Sequence, residues 1–254
     1  MAIIALKAWY IPEYEPIHQL EQRSHDLRLS KSSLLKSALR ADFLDDSDTV
    51  KQSDWFQRYL DGESVEFYIE GSGGYAISNI DLISHEIYFT KRDVMAHLKP
   101  TIFLCYQTDY AQSSDWIREV IQDWLPSFNQ RSRLELTLEE SHRPTDGPAR
   151  LSSTLTRKIR QSLLFIADGT PVLQREGTPP RLIPSPEVCV ELGYALQCKR
   201  SEQILLLSME RSDILGQFPF DTDPRSRLSF SSKKALAKAL PEAIVDQLAQ
   251  FSLI

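Results

Sequence analysis

The chain has 254 residues, 42% hydrophobic and 25% charged, which is enough apolar content to bury one large core or two modest ones. A net charge of −6 and a sequence pI near 5.5 argue against a general nucleic-acid or anionic-membrane binder. No apolar run approaches the length of a membrane span, and Met1-Ala2-Ile3-Ile4-Ala5-Leu6 lacks the basic start and long apolar segment of a signal peptide, so a cytoplasmic location is expected.

The first 97 residues read as a smaller α+β domain. A strand from Ile3 to Ile11 ends at Pro12. After a polar section, Leu34, Leu35, Ala38, Leu39 and Phe43 recur at helical spacing. They predict an amphipathic helix from Ser32 to Leu44, with Lys31, Lys36 and Arg40 on its other faces. Ser53 to Leu60 predicts a short helix whose aromatic residues pack inward. Val65–Ile69 and Ala76–Ile83 flank Gly71-Ser72-Gly73-Gly74, which reads as a hairpin turn. A glycine loop cradles phosphate when it feeds a helix N-terminus, and here a strand follows. Ligand sensing, oligomerisation and capping of a neighbouring sheet are all open roles for this domain.

Residues 98–254 alternate strand and helix. Thr101–Tyr106 reads as a buried parallel strand, followed by a polar loop. Ser113 or Ser114 then caps a helix carrying Trp116, Ile117, Val120, Ile121, Trp124 and Leu125 on its core side. Leu134–Leu138 is the second strand, residues 139–150 a loop, Leu151–Gln161 a helix and Ser162–Ala167 the third strand. Asp168 follows at its carboxyl end, where a doubly wound sheet presents its ligand crevice; a turn-stabilising aspartate is the alternative reading. Residues 173–184, with Pro179, Pro180 and Pro184, form a long loop of the kind that serves as a lid.

Ser185 reads as an N-cap and Pro186 as the first residue of a helix whose apolar stripe is Val188, Leu192, Ala195 and Leu196. Glu191 lies about 60° from Val188, at the margin of that stripe, where a carboxylate is both held and able to meet a ligand. A strand at 203–207 and a helix from Lys233 to Phe251 complete an α/β, doubly wound parallel sheet of about five strands. Cys105, Cys189 and Cys198 are odd in number and lack ligand spacing, and the five histidines form no chelating pair. Reduced thiols and no metal site are expected.

The Ser185-Pro186-Glu187-Val188 segment, with Glu191, Gly193, Tyr194 and Ala195, resembles the N-P-N-V-x-x-E-x-G-Y-A helix of TIR-like and nucleoside 2-deoxyribosyltransferase-like proteins. It departs from that pattern at Ser185 and Glu187. Tyr106-Gln107 resembles the end of the I-F-x-x-Y-Q opening of the bacterial TIR-like group. Asp146 with Gly147-Pro148, and Asp168-Gly169, are similar to its acidic loop positions. Phe218-Pro219-Phe220-Asp221 with Arg225 and Arg227 is similar to its closing P-F-D-x-R-x-R, with Pro224 intruding.

This resemblance spans about residues 98–230. It implies a flavodoxin-like (TIR-like) sheet and a site in which Glu191 attacks or stabilises a sugar carbon, with Tyr106, Gln107, Asp146, Asp168, Pro186 and Tyr194 against the substrate. It also implies NAD as substrate rather than cofactor, and a role as an effector of bacterial defence or cell death, triggered by a ligand of the first domain or by self-assembly. Cleavage of an N-glycosidic bond builds positive charge on the sugar, which one carboxylate can stabilise. Nicotinamide leaves NAD as a neutral molecule and needs no acid, whereas a nucleoside base needs one, for which Asp168 is the candidate. A deoxyribosyltransferase-like nucleosidase, and a non-catalytic nucleotide-binding module in which Glu191 holds a ribose hydroxyl, are the other readings.

Overall fold

The computed structural model describes residues 5–30, 40–91, 97–144, 152–219, 226–251 and 253. The chain divides into two compact units, Met1–Leu98 and Lys99–Ile254.

The first unit is built on six antiparallel strands: β1 (Ala5–Tyr10), β2 (Leu27–Ser30), β3 (Arg40–Asp42), β4 (Glu66–Ile69), β5 (Gly73–Asp81) and β6 (Glu86–Lys91). Their order across the sheet is β2-β1-β4-β5-β6-β3. Among the described residues, three short helices accompany them: α1 (Ile17–Leu20), α2 (Ser47–Lys51) and α3 (Asp54–Leu60). Trp55 of α3 is buried and meets Phe56 and Phe67 edge-on at 5.9 and 5.2 Å between ring centroids, so the aromatic residues pack inward as their spacing implies.

The glycine-rich stretch is the turn of the β4–β5 hairpin, with Ile69 opposite Gly73. Gly71 and Gly73 take φ of +65° and +110°, a region that disfavours residues with a Cβ. The helix expected over 32–44 is corrected at its described end, residues 31–39 lying outside the described residues. Arg40–Asp42 is a strand, and Ala41 and Phe43 are buried alternately with Arg40 and Asp42. That two-residue period is fixed by pairing Ala41 with Ile87, which sets a strand at the described end of this stretch.

The second unit contains β7 (Lys99–Cys105), α4 (Ala111–Asn129), β8 (Thr137–Glu140), α5 (Ser153–Gln161) and β9 (Ser162–Asp168). They are followed by β10 (Pro171–Arg175), β11 (Arg181–Pro184), α6 (Pro186–Cys198), β12 (Ile204–Met209), β13 (Arg227–Phe230) and α7 (Lys233–Leu248). Five strands form one parallel sheet in the order β13-β12-β9-β7-β8. Every residue of the central β9 is buried, as its unbroken apolar sequence requires when helices cover both faces. Helix α4 packs with α7, and α5 with α6. Val188, Leu192 and Ala195 of α6 sit on a core that includes the stacked pair Phe103 and Phe165. Among the described residues, no helix is long and apolar enough to cross a membrane.

Three local expectations are revised. Strand β8 begins at Thr137 rather than Leu134, because the Asn129 side-chain amide bonds both the N–H and the carbonyl of Leu136, each at 2.9 Å, and substitutes for a strand partner there. Helix α4 begins at Ala111, so Ser113 and Ser114 lie within its first turn and cap nothing. Residues 173–184 are not a free lid: β10 and β11 pair as an antiparallel hairpin. Its β11 side is tied to Gln217, whose carbonyl accepts from the Leu182 amide while its own amide donates to the Pro180 carbonyl. A Cβ on Gly216 would come within 2.6 Å of the Pro180 carbonyl oxygen, so this close approach depends on glycine.

Candidate functional site

In an open parallel sheet, ligands bind beyond the carboxyl ends of the strands, where successive crossovers leave in opposite directions. Here that point lies between β7 and β9, because the chain goes from β7 outward to β8 and then returns to the far side of β7 as β9. The side chains at this rim fall into two polar clusters.

The first is centred on Glu191. One turn beyond the α6 start, the apolar stripe turns this carboxyl inward, leaving it 3% exposed. Ser141, just past β8, donates its hydroxyl to Glu191 Oε2 at 2.5 Å, and Arg143 Nη1 bonds Oε1 at 2.5 Å. The Arg143 side chain is 7% exposed, so this is a buried ion pair. Arg143 has a second anchor. Its Nε and Nη2 both donate to the Tyr106 carbonyl, at 3.1 and 2.8 Å, and its guanidinium lies 5.3 Å from the Tyr106 ring centroid. Arg118 lies 5.0 Å from the same ring and is itself paired with Glu140 and Asp115.

Burial works against the charge of Arg143, but the hydrogen bond and charge of Glu191 outweigh it and raise its pKa above the ordinary arginine value. Burial pushes the neighbouring Cys105 thiol well up, so it is not a ready nucleophile. At the start of α6, Ser185 donates to Glu187 Oε2 at 2.7 Å rather than capping the helix, and this bond holds the Glu187 carboxyl below its usual range.

The second cluster is centred on Asp168. Its Oδ2 accepts from Ser113 and Ser114 at 2.5 and 2.6 Å, and its Oδ1 from the Thr170 amide at 3.0 Å. Burial raises the Asp168 pKa, and these hydrogen bonds oppose the rise. Gln107 closes the cluster: its amide N–H donates to Ser114 Oγ and its Nε2 to the Thr170 carbonyl, both at 2.9 Å. The buried Oε1 of Gln107 has no hydrogen-bond partner among the described residues.

The residues singled out from sequence therefore separate. Glu191 and Tyr106 meet through Arg143. Gln107 and Asp168 share the α4 cluster and bond neither Glu191 nor Arg143. Pro186 is exposed in the first turn of α6, and Tyr194 packs against the apolar cluster of Phe103, Phe165 and Leu192. Asp146 lies outside the described residues. Sequence reasoning missed Ser141 and Arg143. The available signal was a basic residue in the loop directly after a strand whose carboxyl end reaches the sheet rim. Among the described residues, no group of three or more His, Cys, Asp or Glu side chains is placed to hold a metal. No family model matches this sequence. No curated protein matches it either.

Proposed function

We propose that the second unit is a TIR-like, flavodoxin-like nucleotide-binding unit that cleaves the N-glycosidic bond of NAD, with Glu191 as the carboxylate that stabilises or captures the sugar cation. The observation that carries this reading is a buried carboxylate on α6, held at the carboxyl rim of a parallel sheet beside its point of strand reversal. The strand order, counted along the unit as 2-1-3-4-5, is that of flavodoxin-like sheets and supports the same reading.

Asp168 bears on the substrate. Both its oxygens are engaged by α4 and Thr170, so it is poorly placed to protonate a leaving base, and this favours a substrate whose leaving group departs neutral. Glu191 is likewise engaged, by Arg143 and Ser141, so cleavage requires that the Arg143–Glu191 contact open first. The same fully partnered carboxylate favours a second reading, a nucleotide-binding module without turnover. Incubating the full chain with NAD and following nicotinamide by chromatography separates the two. Release by the wild type and none by Glu191→Gln is expected, whereas tight NAD binding with no release from either protein supports the module.

A further inference from the structure

Resting on that reading of the site, we infer that Arg143 is the phosphate-binding residue of the crevice, that Glu191 occupies its anion position in the closed form, and that the substrate class is therefore phosphate-bearing nucleotides rather than nucleosides. The Arg143 guanidinium is divided between two partners. Its Nε and Nη2 edge is fixed to the Tyr106 carbonyl and its central carbon lies 5.3 Å from the Tyr106 ring centroid, and neither contact involves Glu191. The Glu191 carboxylate takes Nη1 alone. Arg143 thus keeps its place when Glu191 leaves, and presents a preset N–H donor and a full positive charge to another anion.

A buried arginine cannot simply be released from its carboxylate, because an uncompensated charge at this depth is strongly unfavourable. Exchange for a second anion keeps Arg143 paired and shifts the uncompensated charge to Glu191, where only a substrate that also carries positive charge at the sugar can meet it. Carboxylate and phosphate oxygens both suit a guanidinium, and in a nucleotide the anionic group available to Nη1 is phosphate. The chemistry needs the same exchange. While paired, Glu191 and Arg143 are together neutral and do little for a cationic sugar; once a phosphate neutralises Arg143, the full charge of Glu191 is available to the ring. A nucleoside, with no phosphate, cannot drive the exchange.

The test uses the full chain, ADP-ribose and adenosine as probes, and isothermal titration calorimetry, so no turnover is needed. Glu191→Gln removes the internal anion but keeps a hydrogen-bond acceptor, and it is expected to bind ADP-ribose about 10-fold tighter than the wild type. Adding Arg143→Gln to Glu191→Gln leaves no unpaired buried charge, which guards against misfolding, and is expected to weaken ADP-ribose binding by about 10- to 100-fold while leaving adenosine unchanged. The inference is overturned by equal ADP-ribose affinity in the single and double variants, by weaker binding in Glu191→Gln than in the wild type, or by no ADP-ribose binding to either. The two proposals fail separately. Arg143-dependent ADP-ribose binding without NAD cleavage overturns the cleavage alone, and Glu191-dependent cleavage that survives Arg143→Gln overturns the phosphate role alone.

Discussion

Replacing Arg143 by alanine isolates the largest single electrostatic commitment at the rim of the second unit. The ion pair is 2.5 Å long between side chains 7% and 3% exposed, and after the change Glu191 keeps the hydroxyl of Ser141 and the Cys105 thiol beside it but no counter-charge from Arg143. Breaking one side of such a buried pair costs about 3–5 kcal/mol, most of it the penalty of an unpaired carboxylate rather than the worth of the contact. Glu191→Gln also strands a buried charge, that of Arg143, but costs less, about 2–3 kcal/mol, because the amide oxygen still accepts from Arg143 and the guanidinium keeps both bonds to the Tyr106 carbonyl. The double variant Arg143→Ala with Glu191→Gln has neither charge to strand and is expected to recover most of the Arg143→Ala loss, giving a coupling of about 2 kcal/mol or more. Because the chain has two compact units, the measurement is hydrogen exchange across a urea series read on peptides from β9 and α6, with β5 peptides of the first unit as the internal control. An Arg143→Ala loss below about 1 kcal/mol, or equal losses for both single variants, refutes the reasoning from buried charge.

Two further outcomes follow from the remaining buried polar groups. Asp168→Ala removes the shared acceptor of Ser113, Ser114 and the Thr170 amide and is expected to cost about 2–4 kcal/mol, seen as loss of exchange protection in α4 and the β9 end; an unchanged melting curve would show that these donors find other acceptors. Lys199, whose Nζ bonds the Ser162 carbonyl, has its pKa pushed down to about 8 by burial. Below that pH the amine is charged in both folded and unfolded chains and the burial penalty is fully present. Between about 8 and the ordinary 10.5 the folded chain sheds the proton first, so stability rises with pH. Wild type minus Lys199→Met should therefore gain roughly 2–3 kcal/mol between pH 7 and 10.5 by urea unfolding, and a flat difference would contradict the buried-amine assignment.

The architecture of the second unit was legible where local signals agreed. The apolar runs at 101–105, 162–167 and 204–207 are long, bounded by polar turns and separated by helical patterns, and each is a parallel strand. Pro186 marked the α6 start, and Val188, Leu192 and Ala195 its buried face. What was not legible depends on contacts between distant residues. The start of β8 is set by the Asn129 side chain, and the hairpin of 171–184 by Gln217; neither leaves a periodic trace in the strands themselves. The site was half visible for the same reason. Glu191 stood out from its place on a helix, but its partner Arg143 is 48 residues away in a loop, and pairing at that separation has no sequence period to reveal it. Asp168 was correctly placed at a strand end, yet two of its hydrogen-bond partners are serines 54 and 55 residues earlier, which no local pattern announces.

Tyr106 has a consequence of its own. Its ring meets two guanidiniums, that of Arg118, on α4, at 5.0 Å and that of Arg143, which reaches α6 through Glu191, at 5.3 Å from the centroid. Attraction between a cation and a ring tolerates rotation but fades beyond about 6 Å. A shift of an ångström or two that carried either guanidinium away from the ring would therefore loosen that contact, while the hydrogen bonds of Arg143 to the Tyr106 carbonyl hold the other side of the pair in place.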